Sequence, residues 1–95
     1  MAARLEPDQA QAHYNLGVAL ASAGRFEEAI ESYREAIRLE PDFTPTFNNL
    51  GIALEEVGRF EEAIEQYDRA LELDPEFLEA ADNRVKARLR MKFNS

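Results

Sequence analysis

The chain has 95 residues, 45% of them hydrophobic, a formal net charge of -8, one histidine and no cysteine. That length suits one small domain, and the missing thiols exclude disulfides and cysteine metal sites. The charge is uneven: residues 1–83 hold 6 basic and 19 acidic residues, while residues 84–95 hold Arg84, Lys86, Arg88, Arg90 and Lys92 with no acid. An acidic body repels phosphate backbones, so no nucleic-acid partner is expected.

Residues 1–9 form a short lead in which Leu5-Glu6-Pro7-Asp8 has the look of a helix end. No secretory apolar run opens the chain, and a cytoplasmic location is expected. Residues 10–24 lie in the longest uncharged stretch, but Gln11, His13, Asn15 and Ser22 interrupt it, so no membrane span is expected. Leu16 and Leu20, four apart, predict a helix at about 9–23, ended by Gly24. Phe26, Ala29, Ile30, Tyr33, Ala36 and Ile37 follow three and four apart, predicting a helix at 26–39, with Pro41 just beyond. Thr44-Pro45 reads as a hydroxyl N-cap followed by proline at the first helical position, opening a helix at 44–57 that Gly58 ends. Helices at 60–73, closed by Pro75, and 77–91 complete the chain.

The pattern repeats. Arg25-Phe26-Glu27-Glu28-Ala29-Ile30-Glu31 recurs as Arg59-Phe60-Glu61-Glu62-Ala63-Ile64-Glu65, 34 residues on. Residues 10–43 and 44–77 agree at 18 of 34 positions, and Pro7, Pro41 and Pro75 keep the same step. A fixed period of this length marks a stack of helical hairpins, each too small to bury its apolar face alone. Gly17 against Ala29, and Gly51 against Ala63, are expected where paired helices approach closely.

On these residues the chain resembles the tetratricopeptide repeat family. Leu16-Gly17 and Leu50-Gly51 fall on the family's Leu-Gly pair. Ala29 and Ala63, Tyr33 and Tyr67, Ala36 and Ala70, and Pro41 and Pro75 fall on its later positions. His13 and Phe47 replace its early tryptophan, and Leu20 and Leu54 its first-helix tyrosine. The resemblance implies an all-α solenoid of two repeats, 10–43 and 44–77, after a lead at 1–9. Residues 78–95 then form a capping helix and basic tail.

No catalytic constellation, phosphate loop or metal set is visible, so neither enzyme activity nor a cofactor is expected. The resemblance implies a protein-interaction module that binds a peptide or helix in a concave groove lined by each repeat's first helix. In this sequence that groove would take Gln11, Tyr14, Asn15, Val18, Ala21 and Ser22 from the first unit. The second would give Asn48, Asn49, Ile52, Glu55 and Glu56, and the last helix Asp82, Asn83 and Lys86. Asn15, Asn49 and Asn83 keep the 34-residue step. Two roles stand level for them: gripping a peptide backbone, or tying one helix to the next. Some family members hold a carboxylate terminus with a lysine–asparagine clamp, whose first-repeat positions here are Tyr14 and Val18. Neither can do that job, and a basic or mixed peptide is the expected partner. Two other readings compete. One is end-to-end self-association, with Leu5 and the first helix meeting the end helix of another copy; the other is an engineered, consensus-like repeat without a specific ligand.

Overall fold

Helix boundaries follow the glycines and prolines. The computed structural model describes residues 2–94, with side chains from residue 9 onward. Among the described residues the elements are α1 (Ala2–Ser22), α2 (Phe26–Leu39), α3 (Thr44–Glu56), α4 (Phe60–Leu73) and α5 (Leu78–Asn94), with no strand. At the α1 end, Gly24 takes φ +81°, the left-handed conformation that other residues resist. Around it the Arg25 N–H donates to the Leu20 carbonyl at 2.8 Å and the Gly24 N–H to Ala21 at 3.0 Å. Gly58, at φ +84°, repeats this, with Arg59 donating to Leu54 at 2.9 Å. Both turns satisfy carbonyls that a helix end otherwise orphans. Glu27-Glu28 and Glu61-Glu62 open α2 and α4, where the helix dipole favours acids.

The cap of α3 and the start of α1 differ from the sequence reading. The cap of α3 is Phe43, and Thr44 is already helical with Pro45 behind it. Pro45 loses nothing there, because the first N–H groups of a helix have no intrahelical partner. Phe43 is held instead by packing, its ring edge-on to Tyr14 at 5.4 Å. At the other end, α1 begins at Ala2 and runs through Pro7, so Leu5 to Asp8 is helical backbone continuous with α1 and not a separate helix end. A proline in that position removes a single backbone bond to the preceding turn. The side chains of Leu5, Glu6, Pro7 and Asp8 lie outside the described residues.

Each helix packs on the next, and α3 also touches α1 and α5, giving a stack with extents of 50 × 29 × 16 Å. The core runs along the stack from Ala29, Ile30 and Tyr33 through Phe47, Leu50 and Leu54 to Tyr67, Ala80 and Ala87. The space over each first-helix glycine belongs to a tyrosine. A Cβ on Gly17 would lie 2.6 Å from Tyr33 Cε1, and one on Gly51 2.5 Å from Tyr67 Cε1. Those rings, and not Ala29 and Ala63, are the nearest neighbours. The glycines therefore make room for aromatic rings that would otherwise be displaced.

Candidate functional site

Among the described residues, the face built from α1, α3 and α5 is sewn together by three side-chain hydrogen bonds, each spanning 35 residues. Asn49 Nδ2 donates to Tyr14 Oη at 3.1 Å, Asn83 Nδ2 to Asn48 Oδ1 at 3.0 Å, and Arg90 Nη1 to Glu55 Oε1 at 3.0 Å. The step is one repeat plus one residue, so each bond joins a first helix to the first helix of the following unit. Of the three asparagines in register, Asn49 and Asn83 tie helices together. Asn15 instead accepts from Gln11 Nε2 within α1 at 3.1 Å and stays exposed.

Glu55 is the most constrained of the expected groove residues. Its side chain is only 8% exposed. Tyr67 Oη donates to its second oxygen at 2.5 Å, so both oxygens have donors. Burial, with the Glu55 hydrogen bond and charge behind it, pushes the Tyr67 hydroxyl far above the ordinary tyrosine range. Tyr33 occupies the same place in the first hairpin and is pushed up to about 12, by burial and then by Tyr14. There, Ala21 is the counterpart of Glu55 and offers no oxygen.

Asn48, like Glu55, is buried and supports the face from beneath. Tyr14, Asn49, Ile52 and Asn83 are half-buried, while Asn15, Val18, Ser22, Glu56, Asp82 and Lys86 are exposed. Ile52, Glu55, Glu56, Asn83 and Lys86 come together with Arg90 around a hollow of about 230 Å³ between α3 and α5. Inside it the charges are largely matched. Lys86 Nζ lies 3.0 Å from Asp82, and Arg90 lies 3.0 Å from Glu55 and 4.0 Å from Glu56.

Arg90 was not among the groove residues expected from sequence. A basic residue at the position 34 after Glu56 was the available signal. It also stacks over Phe60, 5.4 Å from the ring centroid. Among the described residues no group of three or more potential metal ligands occurs, and no helix is long and apolar enough to cross a membrane.

The tetratricopeptide repeat family model matches residues 10–43 and 45–77. No curated protein matches the chain significantly. Among solved structures, the second TPR of Spaghetti (RPAP3), bound to the HSP90 peptide SRMEEVD, is similar with a TM-score of 0.88 and 25% identity, over 97% of this chain and 85% of that one. The TPR2AB domain of yeast Sti1, in a complex with pHSP90, is similar with a TM-score of 0.88 and 27% identity over 90% of this chain, which spans 33% of that one. The Arabidopsis OM64 TPR domain shares the fold, with a TM-score of 0.88 and 22% identity over 90% of this chain and 71% of that one.

Proposed function

The chain belongs to the tetratricopeptide repeat family, and on that premise we propose that it is a protein-interaction module, not an enzyme, holding a peptide or helix on the concave face of α1, α3 and α5. The observation that carries this reading is its likeness, over nearly its whole length, to a domain solved with a peptide bound. On this chain the exposed Val18, half-buried Ile52 and the hollow beside Asn83 and Lys86 are the contact surface. Asn48 and Glu55 act indirectly, by holding α3 to α5.

The ligand we propose is basic or of mixed charge. The peptide on the RPAP3 domain ends in two glutamates, a valine and an aspartate. Here the first-repeat clamp positions, Tyr14 and Val18, carry no cation, and Lys86 and Arg90 already face Asp82, Glu55 and Glu56. An acidic tail would meet matched charges on a body whose first 83 residues carry a net -13, so long-range steering opposes it.

Amide shifts of the labelled chain test this against three probes: SRMEEVD, a basic heptapeptide and an uncharged one. The expected result is perturbation of Ile52, Asn49 and Asn83 by the basic peptide, with SRMEEVD at least tenfold weaker. Equal or tighter binding of SRMEEVD removes the charge preference. Shifts confined to the ends of the stack, or none with any probe, remove the groove reading and favour a scaffold without a groove ligand.

A further inference from the structure

We infer that this chain associates head to tail with copies of itself, the outer face of α5 of one molecule seating in the groove between α1 and α2 of the next. The donor surface is an apolar stripe. Leu78, Val85, Leu89 and Phe93 are 73%, 53%, 51% and 79% exposed. Their spacings of seven, four and four put them on one side of α5. Ala80 and Ala87, on the other side, are fully buried. Large apolar side chains gathered on one exposed face mark an interaction surface.

The acceptor surface lies at the opposite end of the stack. A hollow of about 440 Å³ is lined by Leu16 and Leu20 of α1, Ser32 of α2 and, around them, His13, Glu28, Glu31 and Glu35. Leu16 is 49% exposed there. Arg25 and Arg38 offset Glu28 and Glu35, while Glu31 stands exposed on the rim.

Charge selects the pairing. Residues 84–94 of α5 include five basic residues and no acid. Arg84 and Arg90 turn inward to Asp68 and Glu55, and Arg88 remains exposed on the outside. Two α5 faces brought together would oppose Arg88 to its own copy; two α1/α2 grooves would oppose carboxylates. Only the mixed pairing sets the basic helix against the acidic rim and apolar stripe against apolar floor. Among the described residues of one molecule α5 touches neither α1 nor α2, so the contact is intermolecular. It joins two different surfaces and therefore repeats from copy to copy until something blocks an end.

Sedimentation velocity tests this with two surface variants, Leu16→Glu and Leu89→Glu, each checked for unchanged helical circular dichroism. Wild type is expected to gain mass with concentration and to lose it as salt rises. Each variant alone should stay monomeric, because one of its two surfaces is blocked. An equimolar mixture should form a dimer and nothing larger, since it retains one working surface of each kind. A charge pair gives a second readout: Arg88→Glu and Glu31→Arg should each weaken association at least tenfold, and mixing the two should restore it. A wild type that stays monomeric across the range overturns the inference. So does a Leu16→Glu protein that still dimerises, which would mean α5 pairs with itself.

Discussion

Arg90 and Glu55, 35 residues apart, meet at 3.0 Å and fasten the last helix to the middle of the stack. Glu55 is nearly buried, and the Tyr67 hydroxyl holds its other oxygen. A buried carboxylate is stable only while donors surround it. Replacing Glu55 by Ala would leave the Tyr67 hydroxyl without its acceptor and Arg90 without its main anion, at a cost of about 2–3 kcal/mol. Arg90→Ala should cost less, about 1–2 kcal/mol, because Tyr67 still donates and the vacated site admits water. Urea unfolding followed by circular dichroism measures both. Equal stability of wild type and Glu55→Ala would show that the bonds to Glu55 only balance its burial.

The glycines beneath the tyrosines predict an asymmetric response. Gly51→Ala puts a methyl 2.5 Å from the Tyr67 ring, whose hydroxyl is pinned by Glu55; Gly17→Ala puts one 2.6 Å from Tyr33, at a first hairpin with Ala21 in place of that acceptor. Overpacking of this kind costs about 1–3 kcal/mol. Gly51→Ala is expected near the top of that range and Gly17→Ala near the bottom, where the ring can move. Thermal unfolding of the two variants side by side reads the difference.

The tyrosines also set an alkaline limit. Both are raised in the folded chain, Tyr33 to about 12 and Tyr67 further, with burial the leading cause. A raised pKa means that the unfolded chain loses its phenolic protons first, near pH 10. Between that pH and the folded values the unfolded state binds fewer protons, so stability is full below about pH 10 and falls as pH rises through the folded pKa values. Unfolding midpoints measured from pH 8 upward should therefore drop, in step with tyrosinate absorbance. Tyr67→Phe should flatten part of the slope; an unchanged slope would assign the alkaline loss to other groups.

The period placed α2 and α4 without error, because Gly24, Gly58, Pro41 and Pro75 act locally and their neighbours carry the apolar spacing. It placed the start of α3 correctly but mistook its cap, since Phe43 is chosen by its contact with Tyr14 and not by a hydroxyl. What the period could not supply was the stagger between helices. The identical residues repeat every 34 positions, whereas the bonds across the face step by 35. That extra residue follows from how neighbouring helices slide past each other. It makes Asn48 and Glu55 struts instead of exposed contacts, and it brings in Arg90. The residues that differ between units were legible as differences, but their roles needed the third dimension.

The same 35-residue step predicts that the Glu55 arrangement can be moved into the first repeat. Ala21 is the counterpart of Glu55, Tyr33 of Tyr67, and Glu56 of Arg90. Ala21→Glu alone should place a carboxylate beside Tyr33 with Glu56, a second acid, where the arginine belongs. Like charges at that range destabilise, and the new side chain is half-buried, so a loss of about 1–2 kcal/mol is expected. Glu56→Arg alone should also cost stability, since it faces Arg90 in place of the present 4.0 Å contact between opposite charges. Together the two should be better than the sum of their separate effects. The new arginine would face the new glutamate, and Tyr33 would gain an acceptor. A favourable coupling of about 1 kcal/mol or more in the double-mutant cycle is the expected result. Strict additivity would mean that α1 and α3 do not share the stagger of α3 and α5 closely enough for the bond to form. The Tyr14 to Asn49 bond argues against that outcome, because it already joins α1 to α3 at the same step.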